Sequence, residues 1–301
     1  MRWRAVLVAC WLGLAGASAS AAGVVVSSKL STESAMIGHM IRLLLAANGV
    51  PTEDRMTLGA TPVLRRALLA GEIDLYVEYT GNAGFFFNDA ANAAWKDLRA
   101  GYALGARLDY AANRIVWLEP APASNAWGLA VRADVARAHA LATLSDFGRW
   151  VAGGGEAMLI CSAEFANGGT LRSLERTYAF RLRPEQMIVL AGGETAAMIA
   201  AAAAGTNDAN TAMVYGTDGG IVAAGLTLLR DDRHDQPVYA PVPIARERIL
   251  QAYPQIAAIV RPLMQSLDAA TLQRLNARVQ IDGEAPAAVA ADYLRRTGLL
   301  R

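Results

Sequence analysis

Gly71-Glu72-Ile73-Asp74-Leu75-Tyr76-Val77-Glu78-Tyr79-Thr80-Gly81-Asn82 sets a helix stop, a strand and an aromatic turn side by side. The helix before it has Thr61 as a capping residue and Pro62 at its first position, and Gly71 supplies the left-handed backbone that ends a helix. Along the strand, Ile73, Leu75 and Val77 point one way while Asp74, Tyr76 and Glu78 point the other. Tyr79 falls on the apolar side just past the strand, and Thr80-Gly81 turns the chain. In an open α/β sheet, ligands bind at the carboxyl ends of strands. A tyrosine there offers an electron-rich face and a hydroxyl, which suit a small cation or zwitterion.

Outward from this segment the chain alternates strand-like and helix-like stretches, which predicts an α/β architecture. Val24-Val25-Val26 reads as a buried strand, and a helix follows from about Thr32, a residue able to cap it, to Asn48-Gly49. Asn82 to Asn92 reads as loop with Phe85-Phe86-Phe87 within it, then a helix over Ala93–Ala111 and a strand at Ile115–Leu118. After Pro120 and Pro122 a second α/β set begins at Trp127–Val131. It continues through the strands Ala157–Cys161, Met187–Leu190 and Ala212–Tyr215, with helices near 145–151, 170–178 and 195–204. Two strands, 227–229 and 238–244, precede a helical C-terminal region. The division read from this order is a discontinuous first lobe, 23–126 with 216–301, and an inserted second lobe, 127–215. Crossings near Asn125–Trp127 and Tyr215–Asp218 would serve as hinges around a cleft.

Residues 1–22 read as an export signal: Arg2 and Arg4, an apolar run from Ala5 to Gly16, then small-residue cleavage sites around Ala17–Ala21. Cys10 sits in a lipoprotein-like Leu7-Val8-Ala9-Cys10, but too little apolar sequence precedes it, so a secreted, periplasmic chain is the expectation. Without Arg2 and Arg4 the 28 basic residues fall to 26, against 27 acidic. That balance argues against a nucleic-acid partner, which requires a basic surface. Cys161 alone remains after cleavage, so no internal disulfide forms.

Catalytic constellations are missing. His39, His139 and His234 are scattered, no Gly-x-Ser-x-Gly, phosphate-loop or Gly-x-Gly-x-x-Gly motif occurs, and Asp231–Asp235 reads as a solvated loop rather than a metal site. The expectation is no enzyme, no cofactor and no metal. What stands out is aromatic: Tyr79, Trp127, Tyr215 and Tyr239 each lie where a strand meets a loop or crossing. Singly each reads as a core or rim aromatic; together they recur at the ends facing an interlobe cleft. Lys29, before a helix N-terminus, is either placed for an anionic group or an ordinary surface lysine. Asn82 also follows a strand, Asn125 sits at the first crossing, and Thr195 is most simply a helix N-cap.

Several long motifs resemble the osmoprotectant-binding proteins of ABC transporters, the ProX/OpuC group, and within it the OsmF (YehZ) branch. They are Ser28-Lys29 with Thr32-Glu33, Leu58–Val63, Gly71–Asn82, Pro120–Trp127, Ser162–Phe165, Tyr215–Gly219, Pro237–Pro241 and Ala288–Leu294. The resemblance covers essentially the whole mature chain. It implies a two-lobed type II periplasmic binding protein with two hinge crossings, acting as a monomer. Such a protein holds glycine betaine, choline or carnitine in an aromatic cage and feeds a membrane permease with its ATPase. Tyr79 falls on a cage-tyrosine position, Trp127 where relatives carry Tyr or Trp, and Tyr215 and Tyr239 match by local motif. Two departures stand against it. The position of the relatives' carboxylate-gripping Arg is Gly168 here, with Lys29 or Arg172 as candidate substitutes, and a cage tyrosine is replaced by Thr195. A lost Arg–carboxylate bond is worth roughly 1.5–3 kcal/mol, so the ligand either lacks a carboxylate or has it held otherwise. The rival readings are a secreted enzyme and a receptor that signals to a membrane sensor.

Overall fold

A computed structural model describes residues 23–191 and 195–300; the export signal and Cys10 lie outside the described residues. Among those residues the strands form two five-stranded sheets of the same design. The first contains β1 (Val24–Lys29), β2 (Thr52–Gly59), β3 (Leu75–Tyr79), β4 (Ile115–Trp117) and, returning from the far end of the chain, β10 (Pro241–Arg246). The second contains β5 (Trp127–Arg132), β6 (Leu159–Ser162), β7 (Met187–Leu190), β8 (Thr211–Tyr215) and β9 (Leu226–Leu228). Their orders are β2-β1-β3-β10-β4 and β7-β6-β8-β5-β9. In each, three parallel strands are joined by one antiparallel strand that crosses from the other half, β10 beside β3 and β5 beside β8. This is the α/β, two-lobed architecture read from the alternation of elements.

Both faces of the first sheet are covered, which explains why β3 is buried along its whole length. Leu75 and Val77 enter a core with Ile37, Met40, Val289 and Leu294, while Tyr76 joins a second core with Leu64, Trp95 and Trp117. Ile73, expected on the side of Leu75, packs with Tyr76 instead, because it precedes the strand and is outside its alternation. The second lobe has one core, with Phe147, Phe165, Leu174, Met198 and Met213 at its centre.

Three expectations are corrected. Strand β2 has no counterpart in the reading from sequence: it is a mostly exposed edge strand, Thr-Glu-Asp-Arg-Met-Thr-Leu-Gly, with no apolar alternation. The N-caps fall one residue earlier than expected, Ser31 before the helix Thr32–Ala47 and Ala60 before Thr61–Ala70, with neither side chain making a cap bond. Most consequentially, residues after 216 do not return directly to the first lobe. Strand β9 pairs with β5, and Ile221, Leu226 and Leu229 belong to the second core. The chain rejoins the first sheet only at Pro241. The segments that cross between the sheets are therefore 118–126 and 236–240, and they run side by side. Leu118 N donates to Pro243 O at 2.8 Å, Ala121 N to Pro241 O at 2.8 Å and Asn125 N to Tyr239 O at 2.9 Å.

Candidate functional site

A cavity of about 1010 Å³ lies between the two lobes, against the crossing segments. Tyr79, Trp127, Tyr215 and Tyr239 all border it, as do Asn82, Asn125 and Thr195. The aromatics arrive from three directions: Tyr79 ends β3, Trp127 opens β5, Tyr215 ends β8, and Tyr239 lies on the second crossing. Trp127 and Tyr215 are cross-strand partners with ring centroids 6.2 Å apart, and the edge of Phe165 backs Trp127 at 5.9 Å. Tyr239 lies over Gly81, where an added Cβ would come within 2.8 Å of the ring. The glycine of the Thr80-Gly81 turn is thus the space in which Tyr239 rests.

Tyr79 is only 7% exposed. Its hydroxyl donates to Glu33 Oε1 at 2.8 Å, and burial, reinforced by that carboxylate, holds its ionisation well above the ordinary tyrosine range. One face of its ring is taken by the Lys29 ammonium, 4.9 Å from the centroid. Lys29 therefore corrects the expectation. It does not border the cavity; its ammonium pairs with Glu78, the next strand's buried carboxylate. A lysine that turns inward needs such a partner, because an unpaired charge is costly away from water. Glu78 also accepts from Asn82 Nδ2 at 2.6 Å, the Tyr79 amide at 2.8 Å and the Tyr76 hydroxyl at 2.8 Å.

The other candidate substitute for the missing Arg fares no better. Arg172 is absent from the cavity wall and donates to the Asn167 carbonyl at 3.2 Å. Gly168 does border the cavity, but a Cβ there would come within 2.4 Å of the Glu164 carbonyl oxygen. A side chain at 168 thus needs a shift of the local backbone. Thr195 is the first residue of the helix Thr195–Ala204, where its hydroxyl bonds the Asp218 carboxylate. The Gly192-Gly193 turn before it lies outside the described residues. Asp235, expected in a solvated loop, is buried and accepts from Ser173 at 3.0 Å and Thr177 at 2.7 Å.

Sequence reading missed three polar groups in the wall. Glu33 stands in the first turn of the helix Thr32–Ala47, where the helix dipole favours negative charge. Besides Tyr79, it accepts from Asn125 Nδ2 at 3.2 Å and from Asn276 Nδ2 at 2.8 Å. Asp218 takes the Tyr215 amide at 2.8 Å. Burial is the main reason its carboxyl is pushed up to about 6; the Glu33 charge adds to the rise, while the Tyr215 and Thr195 bonds oppose it. Asn276 comes from the C-terminal helix Ala269–Gln280, 243 residues from its partner Glu33, and nothing local in the sequence marks it. Among the described residues, no cluster of His, Cys, Asp and Glu is arranged to hold a metal ion.

Comparison with known proteins agrees with this geometry. The family of substrate-binding domains of ABC-type glycine betaine transport systems matches residues 22–296. The glycine betaine-binding protein YehZ of Escherichia coli K12 is 47% identical over 280 residues, 93% of this chain and 92% of that one. A glycine-betaine-binding protein of Pseudomonas aeruginosa is 29% identical over 99% of this chain and 95% of its own length. The solved structure of apo YehZ from Escherichia coli superposes with a TM-score of 0.87, covering 93% of this chain and all of that one, at 47% identity. The chain belongs to the family of substrate-binding proteins of ABC-type glycine betaine transport systems, and is a solute-binding protein rather than an enzyme.

Proposed function

We propose that this chain captures a quaternary-ammonium solute of the glycine betaine kind between its lobes and delivers it to the membrane permease and ATPase of an ABC importer. Tyr79, Trp127, Tyr215 and Tyr239 are the walls of the cage, with Asn82, Asn125 and Thr195 on its polar flank. The protein works as a monomer in the periplasm after loss of residues 1–22. The observation that carries this reading is the convergence of four aromatics, from both sheets and a crossing segment, on one interlobe cavity. Each face turned to a desolvated cation contributes about 0.5–2 kcal/mol. The crossings at 118–126 and 236–240 act as the hinge, since these two hydrogen-bonded segments join the lobes.

The test is calorimetric titration of the mature protein with glycine betaine, choline, carnitine and ectoine. Saturable one-to-one binding with a change in tryptophan emission is expected, because Trp127 borders the cavity. A flat response to every compound removes the osmolyte reading. Tyr79→Ala is expected to weaken binding by about tenfold or more, since it removes both a ring and the Glu33 contact. Unchanged affinity in that variant takes Tyr79 out of the site.

A further inference from the structure

The turn that follows Tyr215 belongs to the second lobe, yet it is wedged between the first crossing and a helix of the first lobe. Gly216 N donates to the Ala126 carbonyl at 2.9 Å, and a Cβ on Gly216 would come within 2.5 Å of the Ser124 carbonyl oxygen. On its other side the turn lies against the helix Ala269–Gln280, where a Cβ on Gly219 would overlap the backbone nitrogen of Ala277. Neither glycine is among the positive-φ positions, so close backbone approach, and not conformation, requires them.

The helix supplies the matching polar face. Leu272 and Leu275 enter the first lobe's core, while Gln273, Asn276 and Gln280, three and four residues apart, share another side. Gln273 Nε2 donates to the Gly216 carbonyl at 2.8 Å and Asn276 Nδ2 to the Thr217 carbonyl at 2.8 Å, while Gln280 Oε1 accepts from the Gly219 amide at 3.1 Å. Three side-chain amides thus hold three backbone groups of one short turn. The same Asn276 Nδ2 donates to Glu33 Oε2 at 2.8 Å, and Glu33 holds the Tyr79 hydroxyl. Asn276, 2% exposed, thereby joins the support of one aromatic in the cavity wall to the turn that carries another, Tyr215.

Building on the aromatic cage proposed above, we infer that Gln273, Asn276 and Gln280 clamp the Tyr215–Gly219 turn as a third, non-covalent hinge point. The second lobe rotates about it while Tyr215 keeps its place relative to Tyr79. The three are positioning residues; Gln273 is absent from the cavity wall and acts on a ligand only through the turn. With the clamp loosened, Tyr215 and its cross-strand partner Trp127 must be ordered by the ligand, and ordering side chains on binding lowers affinity. The backbone partners fix which end of each glutamine is engaged, a donor at 273 and an acceptor at 280. Gln280→Glu therefore keeps its bond, whereas Gln273→Glu loses the donor and sets a charge against a carbonyl oxygen.

The experiment titrates the mature protein and its Gln273→Glu, Gln280→Glu and Gln280→Ala variants with glycine betaine by calorimetry, and follows amide hydrogen exchange of residues 215–220 with and without that ligand. Gln273→Glu is expected to weaken binding about fivefold and Gln280→Ala about threefold, the scale of ordering one or two side chains, while Gln280→Glu stays within about twofold of the parent. Exchange in the segment is expected to be equally slow with and without ligand in the parent, and about tenfold faster in Gln273→Glu and Gln280→Ala. Equal weakening by the two glutamate substitutions overturns the clamp. So does affinity unchanged in all three variants, and so does a segment whose exchange slows when glycine betaine binds to the parent. If Gln273→Glu does not fold, Gln280→Ala against Gln280→Glu carries the same contrast. A parent that does not bind glycine betaine removes the cage reading instead; exchange in the ligand-free variants then decides the clamp, and rates equal to the parent's overturn it.

Discussion

The two sheets share one strand order, yet the walls they give to the cleft rest on different foundations. Behind the first lobe's wall is buried charge. Lys29 pairs with Glu78, which also takes Tyr76 and Asn82, and deeper in the lobe Arg65 grips Asp109 through two bonds of 2.7 and 2.6 Å. Asp109, fully buried, accepts from Trp117 Nε1 at 2.9 Å and Asn113 at 2.9 Å as well. Behind Trp127 in the second lobe the packing is apolar: Trp127 leans on fully buried Phe165, and Ser162 donates to the sulfur of Met213 at 3.4 Å and caps the next helix by accepting from the Phe165 amide at 3.1 Å. Directional bonds between charges fix side chains in one arrangement and fail sharply when one partner goes. Shape-filling cores tolerate conservative change. The Tyr79 side of the cleft is thus a fixed platform, and the Trp127 side is held by fit.

The largest effect expected from this contrast is on stability. Asp109→Ala leaves the Arg65 guanidinium buried without its carboxylate and strips Trp117 of its acceptor. Breaking a buried pair in this way costs about 3–5 kcal/mol. Phe165→Leu on the opposite side, a change of shape without loss of a polar partner, is expected to cost about 1–1.5 kcal/mol. Urea unfolding of the two variants beside the parent measures both. Equal shifts would erase the distinction between the lobes.

How much of this was legible in the sequence follows the same line. The Gly71–Asn82 segment could be read because it carries its own punctuation, and Met187–Leu190 and Thr195–Ala204 lie where their composition placed them. The four aromatics could be picked out because each stands at the end of a strand or at a crossing. Glu33, Asp218 and Asn276 could not, since they meet only through tertiary contacts, with 243 residues separating Asn276 from Glu33. Lys29 looked available for a ligand because its partner Glu78 comes from another strand, 49 residues away. The boundary set at residue 216 failed for a related reason. Short β9 pairs with β5 across nearly a hundred residues of sequence, and local texture does not reveal which sheet a three-residue strand will join.

An intermediate effect comes from pH and concerns the place where the two walls meet. Asp218, with its carboxyl pushed up to about 6, faces Glu33 from the first lobe and the Tyr215 amide and Thr195 hydroxyl from the second. In the unliganded protein the folded chain holds this proton more tightly than the unfolded one does. The Asp218 contribution therefore lowers stability as pH rises from about 4 to 6. A cation bound beside the carboxylate reverses the preference and expels the proton. Affinity for a quaternary-ammonium ligand is then expected to rise about tenfold between pH 5 and pH 7 and to level off above, by proton linkage at one group. Titration in two buffers of unlike ionisation heat at pH 6 should register proton release. An affinity flat across that range would mean that the ligand does not sense Asp218.

The smallest expected effect probes whether the crossing segment belongs to the fixed platform or to the wall held by fit. Gly81 lies in the turn Thr80–Asn82, and its backbone is not among the positive-φ positions, so alanine is allowed there by conformation. The obstacle is the Tyr239 ring, which a Cβ would approach to 2.8 Å. Tyr239 is half-buried and its backbone is tied to Ser124 and Asn125, so the ring must swing while the chain stays. Gly81→Ala should therefore leave the urea midpoint nearly unchanged and weaken ligand binding about fivefold, the equivalent of an overpacking cost of about 1 kcal/mol, the low end of the usual range. Because position 81 gains only a methyl group behind the ring, a loss of affinity without a loss of stability would assign Tyr239 to the cage. Unaltered affinity would leave Tyr239 as a hinge residue and reduce the cage to Tyr79, Trp127 and Tyr215.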